Sequence, residues 1–380
     1  MASCFTTSHC HIYCVCFHSL NNFMLFQKDD NTILDKFLRR HKVSFKYHIY
    51  RWNSDAHNSN RPVAIDKKTL GKLKKDKSFY LIFDILSEGF PLSLYNWPKV
   101  IYNTLKCYRI PAHKVIFVSS NFEDKANLLT YTKNKNLPPI HVYSILDMDE
   151  VVIENCIDQC IDQTKNNVEK VFLCLAATAR RHRTYAQYKL FESGLNQHGL
   201  LSHSGDIPYK QEFKQQYPSS VSWLDTVPYF ADTKGQDLFL NLQPNTDLYA
   251  KVLFEIVCDT QHVDKTSLFY SEKILKPILS YTPFIIYSQQ YANEKMQDIF
   301  GLRLYNNYFN YDFESENSYQ ERWDRFQYDH KDMIIQLSNA SKDKQLAWKY
   351  QDKDTLIYNY NKIKSDHHGY SISNDMINTL

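Results

Sequence analysis

The sequence predicts an α/β protein built from two Rossmann-like domains that face a cleft, followed by C-terminal helices. Three observations predict this. At 380 residues the chain exceeds one ordinary domain, and each half is long enough to bury its own core. Apolar, strand-like runs alternate with helix-like stretches in both halves, the pattern of parallel sheets covered by helices. Between the two series the chain turns polar, through Ile161-Asp162-Gln163-Thr164-Lys165-Asn166-Asn167.

In the first half, Phe79–Ile85, Lys114–Val118 and Ile140–Ile145 read as buried strands, and Pro98–Tyr108 and Lys125–Lys133 as helices. This predicts an N-terminal acceptor-side domain over 1–160 and a linker over 161–170. A second α/β domain, 171–318, holds predicted strands Val171–Ala176, Leu200–His203, Lys251–Cys258, Pro283–Tyr287 and Leu302–Tyr305. Its predicted helices are Tyr185–Ser193, Glu272–Leu279 and Ala292–Phe300, with an irregular region reaching to about Ala250. From Tyr319 onward, Trp323, Phe326, Met333, Ile334 and Leu337 recur near a 3.6-residue period, so 319–380 is a helical tail.

Composition narrows the function classes. Hydrophobic residues at 43% and charged residues at 23% are ordinary globular values, which exclude a disordered or fibrous chain. The net charge is +3 and no block is basic enough to read as a nucleic-acid footprint, so no nucleic-acid partner is expected. With 8 Gly the chain has neither a dinucleotide fingerprint nor a P-loop. Any bound phosphate must therefore be held by charged side chains and helix N-termini. Nine Cys without framework spacing predict reduced thiols. Cys4, Cys10, Cys14 and Cys16 lie near His9, His11 and His18, but their spacing matches no zinc pattern and reads as an apolar first strand. No run approaches the ~20 apolar residues of a membrane span, and no secretory signal opens the chain, so a cytoplasmic protein is expected.

Two segments carry the chemistry. Ala179-Arg180-Arg181-His182-Arg183 precedes a helix predicted to begin near Thr184. Cations at a helix N-terminus oppose the macrodipole, and a bound anion gathered by Arg forks and backbone amides accounts for them, as does a solvated basic loop. The second segment, Leu268-Phe269-Tyr270-Ser271-Glu272-Lys273, opens a helix after the strand ending Cys258-Asp259-Thr260. Ser271 suits an N-cap and Glu272 the first turn. The same residues suit a nucleotide, with Glu272 accepting from ribose hydroxyls and Lys273 facing phosphate.

The second segment resembles the sugar-nucleotide site of α1,3-fucosyltransferases, where an aromatic-x-Ser/Thr-Glu-Lys run opens a helix and precedes an apolar strand, here Pro283-Phe284-Ile285-Ile286-Tyr287. The form Ser-Glu-Lys-x-x-Lys-Pro-Ile is closer to fucosyltransferase-like proteins of viruses and bacteria. That set is also similar in the Arg-Arg-His-Arg run, in Ser193-Gly194-Leu195 and Gly199-Leu200-Leu201-Ser202, and in Phe83-Asp84-Ile85-Leu86-Ser87-Glu88-Gly89. The resemblance spans about Phe79 to Tyr305. It implies a GT-B-like, inverting, metal-independent glycosyltransferase, in the host cytoplasm if the chain is viral. It further implies a nucleotide-sugar donor such as GDP-fucose, a hydroxyl acceptor on a glycan, protein or other molecule, and no cofactor. Donor-binding residues would be Arg180, Arg183, Asp259, Phe269, Tyr270, Ser271, Glu272 and Lys273. Phe269 stands where the family usually has Tyr, and Asp259 where it often has Asn or Glu.

An inverting transfer needs a carboxylate to take the acceptor's proton, and Glu88, following a strand and preceding Gly89, is the candidate base; an exposed loop carboxylate is the plainer account. Asp147-Met148-Asp149 imitates the Asp-x-Asp metal site of the other large glycosyltransferase architecture. Acidic residues at a helix start suit the dipole without a metal, and that reading is preferred. A metal-dependent enzyme using Asp147 and Asp149, and a non-catalytic nucleotide-sugar-binding protein, are the alternatives.

Overall fold

The computed structural model describes residues 26–28, 33–40, 43–52, 62–85, 96–144, 167–176, 178–231, 246–260 and 267–366. Over the described residues the chain is mixed α/β, with two five-stranded sheets. The first runs in chain order: β1 (Phe26–Lys28), β2 (Lys46–Trp52), β3 (Phe79–Ile85), β4 (Val115–Ser119) and β5 (His141–Ser144). β1 pairs antiparallel with β2, and β2 to β5 are parallel.

Strand periodicity divides the side chains of this sheet between two cores. Leu81, Phe83 and Ile85 of β3 join Val115 and Phe117 of β4 on one face, beneath Leu73, Val100, Ile101 and Leu128. Ile82, Ile116 and Val118 point the other way, against Leu34 and Leu38 of the helix Ile33–Arg40. Both faces are covered, which is why these strands read as unbroken apolar runs in sequence. β2 escapes that pattern because Lys46, His48 and Arg51 interrupt it.

The second sheet has the order β10-β9-β6-β7-β8, with β6 (Phe172–Ala176), β7 (Gly199–His203), β8 (Tyr229–Phe230), β9 (Phe254–Cys258) and β10 (Phe284–Tyr287). Only β8 is antiparallel, against β7. The helix Tyr319–Ser338 contributes Trp323, Phe326, Ile334 and Leu337 to this sheet's core, and the Tyr287 hydroxyl donates to the Tyr319 carbonyl at 2.7 Å. Further along, Lys349 is buried and its ammonium donates to the carbonyls of Tyr249 and Val252 at 3.0 and 2.8 Å. The C-terminal helices are thus structural members of the second sheet's core.

Three sequence expectations change. Leu302–Tyr305 is not a strand: the Asn359 side chain takes the Arg303 amide at 2.8 Å and donates to the Arg303 carbonyl at 2.9 Å, replacing a ladder partner. The region expected to be irregular holds the helices Lys210–Gln216, Val221–Leu224 and Thr246–Ala250, as well as β8. These elements are too short for a period to show, and contacts among Phe213, Tyr217, Tyr188 and Trp223 hold the first two. The helix after β6 spans Arg181–Glu192, four residues earlier at its start than Tyr185, so the basic run forms its first turn. Cys4, Cys10, Cys14 and Cys16, and the linker up to Asn166, lie outside the described residues.

The end of β4 meets the second half of the chain. The Leu268 amide donates to Asn121 Oδ1 at 2.8 Å, and the Phe122 amide donates to the Leu268 carbonyl at 2.8 Å. Asn121 is oriented for this by its Nδ2, which donates to Asp124 Oδ1 at 2.9 Å, while Ser119 Oγ donates to Asp124 Oδ2 at 2.5 Å. Burial pushes the Asp124 carboxyl up to about 8.

A group with a raised folded-state pKa stabilises the fold fully below its unfolded value, and the contribution is lost as pH rises through the folded value. For Asp124 that window runs from 3.8 to about 8. Glu255 and Glu314, each pushed up by burial to about 7, act in the same direction. Over that window the urea midpoint of Asp124→Asn should fall less than that of the parent. Parallel declines in the two proteins would show that Asp124 is already ionised in the fold.

Candidate functional site

Strand order in the second sheet reverses between β6 and β9. From β6 the chain moves to β7 on one side and later returns to β9 on the other. This makes the carboxyl ends of β6 and β9 a topological switch point, the place where open α/β sheets bind ligands. Each of the two chemistry-bearing segments follows one of these strands.

After β6, Arg180 has extended backbone and is the last residue before the helix, its carbonyl accepting from the Thr184 amide at 2.8 Å. No side chain caps this helix, so its first amides carry the positive end of the dipole without an intrahelical acceptor. The residues of the basic run are then committed differently. Arg181 is exposed, pairs with Glu212 at 2.5 Å and lies over the Tyr209 ring. Arg183 is buried, and its Nε donates to the carbonyls of Cys258 and Asp259 at 3.0 and 3.2 Å. His182 is buried with Nε2 2.8 Å from the Asp259 carbonyl, so its ring carries a proton on Nε2. Arg180 is half-buried, and its Nε is shielded from solvent with no hydrogen-bond partner among the described residues. Leaving such a donor unmatched costs about 1–3 kcal/mol.

After β9, Asp259 joins the two sides. Its carbonyl receives His182 and Arg183, while its buried carboxylate accepts from Ser271 Oγ at 2.5 Å, the Thr260 amide at 2.6 Å and the Ser271 amide at 3.2 Å. Ser271 caps the following turn only weakly, with the Lys273 amide 3.4 Å from its Oγ. Lys273 is half-buried, with its ammonium 3.4 Å from the same hydroxyl. Nearby on β9, burial pushes Glu255 up to about 7, while the Tyr249 hydroxyl at 2.7 Å and the charges of Lys276 and Lys273 pull it back.

Arg183, Asp259, Ser271 and Lys273 are thus linked by hydrogen bonds, and Arg180 stands at the start of the helix that carries Arg183. Phe269 and Tyr270, also expected to contact the donor, are buried. The Phe269 backbone bridges Asn121, and its side chain is buried. Tyr270 has no exposed surface, its hydroxyl donates to the Ala292 carbonyl at 2.6 Å, and its ring packs edge-on to Phe122 and Phe300. Glu88, Asp147 and Asp149 lie outside the described residues, as does the Glu272 side chain. No group of metal-ligating side chains occurs among the described residues.

Two buried residues near these strand ends carry no sequence signal of their own. His182 sits inside the run Arg180–Arg183, where its neighbours' charge masks it. Gln289 follows β10 and is 2% exposed; its Oε1 accepts from Ser288 Oγ at 3.1 Å, and its Nε2 has no partner among the described residues. A Gln-Gln pair after an apolar strand carries no signal in sequence.

No family model matches the chain, and none of the curated proteins matches it. Among solved structures, it is similar to a chain of the glycosylation associate protein (Gap123) complex from Streptococcus agalactiae. The identity is 13% over 91% of this chain and 56% of that chain, so this chain spans little more than half of its length. The TM-score is 0.34, at which neither a shared fold nor a shared function follows.

Asp259→Ala removes the acceptor for both Ser271 bonds and should lower unfolding stability by roughly 3 kcal/mol in urea titration. Tyr270→Phe should cost only about 1 kcal/mol, the value of one hydroxyl-to-carbonyl bond. An Asp259→Ala protein as stable as the parent would show that the two segments are held by something else.

Proposed function

We propose that the chain is a glycosyltransferase of GT-B-like organisation that binds the diphosphate of a nucleotide sugar at the β6/β9 switch point. The observation that carries this reading is Arg180. Its shielded Nε lacks a partner beside an uncapped helix N-terminus, at a strand-order reversal. Guanidinium, ammonium and converging amides form a set of donors matched to a diphosphate. The sequence resemblance to fucosyltransferase-like proteins supports the same reading, with GDP-fucose as the donor it implies.

In this reading Arg180 and Lys273 bind the diphosphate oxygens. Arg183, His182 and Asp259 act behind them as positioning residues, since their hydrogen bonds join the two loops to each other. Gln289 adds a neutral donor, and Glu272 is assigned to the ribose hydroxyls. The acceptor hydroxyl attacks the anomeric carbon opposite the diphosphate, whose bond to that carbon breaks, and Glu88 takes the hydroxyl proton. Negative charge developing on the departing diphosphate meets fixed positive charge, which is the largest available source of acceleration and needs no metal ion.

Thermal unfolding with GDP-, UDP- and CMP-sugars tests this. A donor present at a hundred times its dissociation constant adds about 2.7 kcal/mol to stability, with or without EDTA. Arg180→Ala and Lys273→Ala should lose most of that stabilisation; without ligand, Arg180→Ala should unfold at or above the parental temperature, because it removes the unmatched donor, and Lys273→Ala close to it. The proposal fails if no nucleotide sugar stabilises the chain, or if both variants respond as the parent does. Binding that EDTA abolishes would instead favour the metal-dependent alternative.

A further inference from the structure

The crossovers from β2 through β5 run in one direction, so the helices Lys67–Lys75, Trp97–Tyr108 and Asp124–Lys135 pack on the same face of the first sheet. The first carries five lysines, the second two and the third three, and all ten are exposed. The single carboxylate in the three helices is Asp124, which is fully buried. None of the ten lysines takes part in an ion pair among the described residues. Of the flanking acids, Asp66 is engaged by Thr69, Asp76 by Lys46 and Ser78, and Glu123 by Lys295.

This layer is a local concentration of positive charge that no block of the sequence displays, because its lysines come from three separate helices. The net charge of +3 conceals it, because 42 acidic residues along the whole chain offset 45 basic ones. Dipole complementarity explains lysines at the helix C-termini, such as Lys133 and Lys135. It does not explain Lys67, Lys68, Lys99 and Lys125, which occupy first turns where positive charge is unfavourable. Solubility alone is served by interspersed signs, not by one sign across three helices.

We propose that this helical layer is a docking surface for the anionic headgroups of a lipid bilayer. Three packed helices about 10 Å apart and about 14–18 Å long present a broad, nearly planar field, which fits a headgroup layer. The charges are compact ammonium groups on flexible stems. Nucleic-acid recognition leans on Arg forks and stacked aromatic rings, and the exposed positions of these helices carry neither; Tyr108 and Tyr131 are half-buried. The one large apolar side chain exposed in the layer, Leu129 at 52%, stands among the lysines where it can enter the headgroup region. No described helix is long and apolar enough to cross a membrane, so the attachment is peripheral. This surface is separate from the switch point at β6 and β9 and does not rest on the assignment made there.

Co-sedimentation of the full chain with phosphatidylcholine vesicles, with and without phosphatidylserine, tests the proposal. The chain should bind only the vesicles containing phosphatidylserine and be released at high salt. Lys72→Gln combined with Lys74→Gln and Lys75→Gln should weaken that binding roughly a hundredfold. Lys133→Gln with Lys135→Gln, on a different helix, should weaken it roughly thirtyfold, and both proteins should keep the parental unfolding temperature. No binding to the anionic vesicles, binding that both lysine variants retain, or tighter binding to duplex RNA than to vesicles would each overturn it.

Discussion

Much of the second sheet depends on one residue, Asp259, placed where the strand order reverses. Its backbone carbonyl and its side-chain carboxylate serve different elements: the first gathers the helix after β6, the second the turn at Ser271. Parallel strands that part at a switch point share no ladder beyond their ends, so something other than the sheet must tie the loops together. Here the tie is made of short side chains and one buried guanidinium. His182 Nε2 and Arg183 Nε are directed to carbonyl oxygens, whereas the shielded Arg180 Nε is unmatched among the described residues.

A comparable economy governs the junction with the first sheet. Asn121 uses its amide nitrogen on Asp124 and its amide oxygen on the Leu268 backbone, so one side chain relates the end of β4 to the segment that leads into Ser271. Phe122 then packs on Tyr270 and Phe300, giving the polar contact an apolar flank. The segment that resembles a sugar-nucleotide motif is therefore two things in sequence order. Phe269 and Tyr270 join the two halves of the chain, and Ser271 with Lys273 turns toward Asp259.

Sequence reading recovered the elements whose burial is continuous. β3 was placed residue for residue, β4 and β5 within one or two, and Ala292–Phe300 with its bounds intact. β3 and β4 are covered on both faces, and their apolar runs record it. β2, with charged and imidazole groups between Tyr47, Ile49 and Tyr50, left no such trace, nor did helices of four to seven residues. After β6, charge in the wrong part of a helix was legible, because the dipole gives Arg180 to Arg183 a definite physical oddity. The division of labour within that run was not legible, since it depends on which carbonyls lie 3 Å away. The Tyr270 hydroxyl is a like case, since its bond to the Ala292 carbonyl depends on a partner 22 residues distant.

Lys349 and Asn359 have a consequence for how the protein is made. The first sheet has all its strands once residue 144 has been synthesised. The second sheet cannot complete its core until Trp323, Phe326, Lys349 and Ile363 have been made, because their side chains finish packing begun around β6 and β9. Domains generally fold as the chain emerges, N-terminal units first. During synthesis a finished N-terminal sheet is therefore followed by a long interval in which the apolar strands of the second sheet lack their cover. Loss of the last three helices would leave that interval permanent, and the aggregation hazard of an uncovered sheet with it.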